Sequence, residues 1–117
     1  MTDNEQVLDA EQWKVEAQAI IEDVKHHLRD IQVSDKLKST NTGIFLNLTT
    51  GEGSKYCVQV TKMGFKIVGM NYDSLEKIND NFNFETMSSL LDSMSPEYRQ
   101  SFGNSLIDKL NKINNND

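Results

Sequence analysis

Residues 44–70 read IFLNLTTGEGSKYCVQVTKMGFKIVGM, and their alternation decides the fold class. Ile44, Leu46 and Leu48 alternate with Phe45, Asn47 and Thr49, the period of a half-buried strand. Thr50-Gly51-Glu52-Gly53-Ser54 is a polar turn, consistent with a hairpin. Tyr56, Val58 and Val60 then alternate with Cys57, Gln59 and Thr61. A short connection ending at Gly64 leads into Phe65-Lys66-Ile67-Val68-Gly69-Met70. A parallel crossover needs about a dozen residues or more, so loops this short join antiparallel neighbours. The segment predicts a three-stranded antiparallel meander, with a weaker signal for a fourth strand over residues 71–74.

On the N-terminal side, residues 13–31 predict a helix. With Val24 as the zero of the helical wheel, Trp13, Ala17, Ile20, Ile21, Leu28 and Ile31 fall within about 60° on either side. Glu22, Lys25, His26 and Asp30 lie outside that arc, so the helix has one apolar face suited to packing on a sheet. On the C-terminal side, Asn79-Asp80-Asn81 reads as a loop and residues 84–93 as a helix with Met87, Leu90 and Leu91 inward. Ser95 is a good N-cap, Pro96 suits the first helical position, and Glu97 favours the positive end of the dipole. A last helix is expected from Pro96 to about Lys112. The order helix, strands, helices is α+β rather than α/β: an N-terminal helix, a three- to four-stranded antiparallel meander and two C-terminal helices. One domain over residues 12–113 is expected, between polar tails at 1–11 and 114–117.

The 117 residues suffice for one small core and carry a net charge of −6. That balance argues against a nucleic-acid surface, which needs clustered Lys and Arg, and against an anionic membrane. No apolar run approaches the ~20 residues of a membrane span. The polar, acidic start is not a signal peptide. One cysteine permits no intramolecular disulfide, so a reducing, cytoplasmic setting is the simplest reading.

In the last helix Phe102, Leu106, Leu110 and Ile113 fall within about 80° of one another. Adding Tyr98 and Ile107 widens the apolar arc to about 180°, more than the roughly 100° that packing on one sheet requires. A surplus apolar strip on a small acidic protein points to a partner.

No catalytic constellation is evident. His26 and His27 are adjacent, about 100° apart on a helix, and cannot share a metal; both read as solvated surface. Cys57 on a strand reads as a buried thiol, although a nucleophile is conceivable and iodoacetamide reactivity would reveal one. The carboxylates are scattered, with no apolar-framed pair. Gly51-Glu52-Gly53-Ser54-Lys55 lacks the phosphate-loop spacing and sits between strands. No cofactor and no metal are implied.

Leu90-Leu91-Asp92, Ser95-Pro96, Tyr98-Arg99 and Phe102-Gly103-Asn104 together resemble the signature of glycogen synthase kinase-3 interaction proteins. That domain is also similar to a segment of the clustered-mitochondria proteins. Tyr56-Cys57-Val58-Gln59-Val60-Thr61 and Gly64-Phe65-Lys66-Ile67-Val68-Gly69 form a second matching block, and the resemblance runs from about Val15 to Leu110. It implies a non-catalytic adaptor whose last helix binds glycogen synthase kinase-3. That helix is similar to the kinase-binding helix of axin, a phenylalanine and two leucines spaced by four, matched here by Phe102, Leu106 and Leu110 and extended by Ile113. The physics is helix-in-groove recognition, and Leu110, far from the Pro96 end, is the expected hot spot. The kinship with clustered-mitochondria proteins leaves a module with other partners as the alternative.

Some members of that family also anchor the regulatory subunit of cyclic-AMP-dependent protein kinase through the first helix. Ile20, Ile21, Val24 and Leu28 match the apolar pattern, but Lys25 stands where those members carry a leucine. His26 and His27 are polar where that pattern is apolar. A lysine in an apolar groove is costly, so weak or absent anchoring is expected.

Overall fold

The three alternating runs form strands Gly43–Thr49 (β2), Lys55–Thr61 (β3) and Gly64–Gly69 (β4). A further strand, Asp30–Val33 (β1), lies ahead of them, and the sheet order is β1-β2-β3-β4, antiparallel throughout. The computed structural model describes residues 9–76 and 82–114, with side chains as far as Asn111. Opposed pairs Ile31–Leu48, Leu48–Tyr56, Leu46–Val58 and Val60–Phe65 put the apolar set on one face. Gly64 turns the chain between β3 and β4 with φ +124°, and a side chain there would meet the Phe84 carbonyl.

Helix α1 (Ala10–Val24) covers that face. Asp9 and Gln12 form a reciprocal capping box at its start, with bonds of 2.8 and 2.9 Å. Asp9, Ala10 and Glu11, expected in the tail, therefore belong to the helix start. Trp13, Ala17, Ile21 and Val24 pack on Ile44, Leu46, Leu48, Val58 and Val60 in one core. Burying each large aliphatic side chain contributes about 1.5–3 kcal/mol.

The first helix is shorter than expected. It ends at Val24, passes through a 3-10 turn at Lys25–His27, and the chain then enters β1. Ile31 does reach the core, but from a strand. Its position is in phase with the helical stripe and also with the period of β1, and the free edge of β2 decides between them. The Arg29 N–H to Thr49 carbonyl bond (3.0 Å) and the Ser34 N–H to Phe45 carbonyl bond (2.9 Å) extend that ladder at both ends.

Residues 71–74, expected as the fourth strand, instead cross the outer face of the sheet as a strap. Asp73 has φ +55°, which no strand residue adopts. Its carboxylate accepts from Ser34 Oγ and from Asn47 Nδ2 (2.8 Å), and its N–H donates to Asn47 Oδ1 (2.8 Å). Those two donors hold the Asp73 carboxyl below its ordinary value. Tyr72 Oη lies 2.6 Å from Thr49 Oγ1 and donates to Asp30 Oδ2 at 2.8 Å.

Helix α2 (Met87–Met94) begins later than expected, because Phe84 pairs in extended form with Phe65 through two 2.8 Å backbone bonds. Thr86 then caps it, accepting from the Ser89 N–H at 3.0 Å. Helix α3 runs Pro96–Asn114. The expected loop at 79–81 and most of both tails, residues 1–8 and 115–117, lie outside the described residues.

Candidate functional site

Helix α3 is built in two parts. Its first two turns are seated on the body. Ser95 Oγ accepts the Tyr98 N–H at 3.0 Å, and the Ser95 carbonyl accepts the Arg99 N–H at 3.2 Å. Tyr98 is 1% exposed, and its hydroxyl lies 2.7 Å from Ser88 Oγ. Phe102 stacks on Tyr98 with ring centroids 5.8 Å apart, and His27 meets both rings edge-on at 5.6 Å. His27 Nδ1 also lies 2.8 Å from Ser101 Oγ. Arg99 reaches back to α2, donating to the Asp92 carboxylate at 3.1 Å and to its carbonyl at 2.7 Å.

These contacts give the sequence signature a physical meaning. Leu90 and Leu91 are fully buried, Asp92 binds Arg99, Ser95 caps, and Tyr98 and Phe102 fasten the helix. His27, expected as solvated surface, is instead half-buried against α3, whereas His26 is exposed.

Beyond Phe102 the surroundings change. Leu106 is 47% exposed, Ile107 55% and Leu110 59%. A side chain added at Gly103 would meet nothing within 4 Å. Taking Phe102 as zero, Leu106, Leu110 and Ile107 lie at about 40°, 80° and 140°, a continuous apolar face open to solvent. Ile113 is helical, but its side chain lies outside the described residues. Of the four residues expected to dock, Phe102 thus sits half-buried at the junction while Leu106 and Leu110 stand clear. Ile107 joins this face; its signal was the widened arc, which places it 60° past Leu110.

The four α1 candidates do not form a comparable surface. Ile21 and Val24 are buried, Ile20 is half-buried on the core, and Leu28 lies past the end of the helix. Lys25, in the 3-10 turn, pairs with Glu22 at 2.8 Å.

Glu52 contributes to the site without having been singled out by the sequence. From the β2–β3 turn its carboxylate accepts from Ser95 Oγ (2.7 Å) and from the Glu97 N–H (2.9 Å). The Glu97 amide first, and the Ser95 hydroxyl next, hold the Glu52 carboxyl down at about 2. No local pattern advertises a partner more than forty residues away.

Among the described residues no group of three or more His, Cys, Asp or Glu could hold a metal ion. Cys57 is fully buried, and burial pushes its thiol up, away from the reactive thiolate. A cleft of about 400 Å³ between α1 and α2 has Ile20, Val24, Phe65 and Met87 in its lining, with Asp23 and Glu85, and among the described residues its lining contains no His, Cys or Lys. Among the described residues no helix is long and apolar enough to cross a membrane.

A family profile described as the GSKIP domain matches residues 13–113. The chain is 38% identical over 111 residues to the GSK3-beta interaction protein of Danio rerio, covering 92% of this chain and 81% of the relative. It is 33% identical over 105 residues to the GSK3B-interacting protein of Homo sapiens, covering 90% and 76%. The Protein GSKIP homolog of Drosophila melanogaster is 28% identical over 90 residues, covering 75% and 76%. The Danio rerio and Homo sapiens relatives are named as interaction proteins.

Proposed function

The chain belongs to the GSKIP domain family, and on that premise we propose that it is a non-catalytic adaptor that binds glycogen synthase kinase-3 through the outer half of α3. The observation that carries this reading is the exposure of Leu106 and Leu110 on a helix whose base is firmly held. A helix with apolar residues at i and i+4 standing in water is ready to enter a hydrophobic channel on a partner. Phe102, half-buried, marks the inner end of that face. Occupying a docking channel on the kinase that scaffold proteins also use would inhibit the kinase or redirect it toward selected substrates.

The test is titration calorimetry of purified glycogen synthase kinase-3 with the parent and with Leu110→Glu, whose fold is checked by circular dichroism. Placing a charge at a central anchor is expected to weaken binding at least about tenfold. A parent that does not bind, or a folded Leu110→Glu that binds as the parent does, overturns the reading.

For the cyclic-AMP-dependent kinase, weak or absent anchoring is proposed. Ile21 and Val24 are committed to the core, α1 stops at Val24, and Lys25 is held by Glu22. Submicromolar affinity for the type II regulatory subunit would sink this second proposal.

A further inference from the structure

We infer that Glu52 is a positioning residue for the docking helix: from the β2–β3 hairpin it sets the direction in which α3 leaves the body. The inference rests on the docking reading above and deepens it.

The amides at the start of α3 can be accounted for one by one. Pro96 has no N–H. The Glu97 N–H goes to Glu52 Oε2, the Tyr98 N–H to Ser95 Oγ, and the Arg99 N–H to the Ser95 carbonyl. The Ser95 hydroxyl in turn donates to Glu52 Oε1. The N-cap is therefore a two-part device, a local serine held by a carboxylate from another element, with negative charge at the positive end of the helix.

The hairpin that carries Glu52 is itself fixed. The Thr50 N–H donates to the Ser54 carbonyl at 2.9 Å, the Gly53 N–H to the Thr50 carbonyl at 2.9 Å, and the Ser54 N–H to Thr50 Oγ1 at 3.2 Å. Gly51 leaves room for the Glu97 side chain, which a Cβ at that position would strike. The other hydrogen bonds described above for the base of α3 join it to α2 and to the 3-10 turn. Among the described residues, the bonds to Glu52 are the hydrogen bonds that tie α3 and its cap to the sheet.

Direction matters because α3 is a lever. Leu110 stands about 22 Å along the axis from Ser95, so a tilt of about 10° at the base sweeps Leu110 through about 4 Å. A helix already aimed at its channel forfeits less freedom on docking than one that swings.

The test reads direction in the free chain. Spin labels are placed on exposed positions of α1 and α3 through Glu16→Cys and Lys109→Cys, Cys57 being buried. Pulsed electron–electron distances are compared between Glu52 and Glu52→Ala proteins. A narrow distribution is expected in the first, and one wider by about 4 Å or more in the second. Affinity for the kinase is expected to fall about three- to tenfold in the same variant. A folded Glu52→Ala that is less stable but keeps the narrow distribution overturns the inference, since Glu52 would then serve stability alone. So does a broadened distribution with unchanged affinity. If Glu52→Ala does not fold, Glu52→Gln, which keeps the side-chain size but offers a single acceptor oxygen, is read by the same two criteria. A parent that does not bind the kinase refutes the docking reading and leaves the distance measurement standing.

Discussion

Tyr98 and Leu110 belong to the apolar arc of the same helix, about 120° apart, and meet opposite surroundings. Tyr98 is closed in by His27, Phe102 and Ser88; Leu110, three turns on, is more than half exposed. The helical period is the same at both positions. What differs is what lies beneath: α2 and the 3-10 turn under the first two turns, and none of the described residues under the last described ones. The apolar arc is thus covered at its base and exposed towards its end, and the division falls at Phe102.

The sharpest way to break this comparison is to truncate each end. Tyr98→Ala removes a buried ring, leaves a cavity and strips Ser88 of its partner, so a loss of about 3–5 kcal/mol in urea denaturation is expected. Leu110→Ala removes an exposed side chain and should leave stability within about 0.5 kcal/mol of the parent. Its effect belongs in the kinase titration instead. Comparable stability losses for the two variants would mean that the outer half is packed in solution, and the division would fail.

The alternation over 43–69 was legible because one face of that sheet is core, which forces every second residue inward at Leu46, Leu48, Val58 and Val60. Ile31 was assigned to the wrong element, since position 31 is apolar in phase with either period, and only the unpaired edge of β2 distinguishes them. The strap at 71–74 depends on Asp73 reaching Asn47 and Ser34, contacts between residues 26 and 39 positions apart. In the candidate site, the spacing of Phe102, Leu106 and Leu110 was readable, but a wheel cannot say which members of a stripe are covered. Glu52 was invisible for the same reason as β1: its role exists only once the hairpin and α3 are brought together.

Acid offers a finer probe of the attached half. Glu52 has its carboxyl lowered from 4.5 to about 2 by the Glu97 amide and the Ser95 hydroxyl. A carboxyl lowered on folding contributes stability that is complete above about pH 4.5 and is lost as the pH falls toward 2. Glu52→Gln takes up no proton there. The stability gap between parent and Glu52→Gln should therefore be widest near neutral pH and narrow through that window. Asp73 and Glu76, whose carboxyls are also lowered, are present in both proteins and cancel in the difference. Thermal denaturation at pH 7 and near pH 2.5 measures it, and a gap that does not narrow would mean that the cap does not depend on the carboxylate.

The smallest change in the urea midpoint among the stability-altering variants is expected at the boundary between the halves. Gly103 follows Phe102 inside a continuous helix, where glycine costs about 0.5–1 kcal/mol relative to alanine. A fixed neighbour often explains such a glycine, but here an added Cβ meets nothing within 4 Å. Gly103→Ala should therefore stabilise the helix, and the gain should be local. The outer turns lack tertiary cover, so their amides exchange by fraying rather than by global unfolding. About 1 kcal/mol there corresponds to roughly fivefold slower exchange at residues 106–110, with a much smaller change in the urea midpoint. If the midpoint rises by the full amount instead, the outer half unfolds together with the core, and the two ends of α3 are less independent than their surroundings indicate. If exchange accelerates, the open space beside Gly103 is filled in solution, and the presented face begins further along than Phe102.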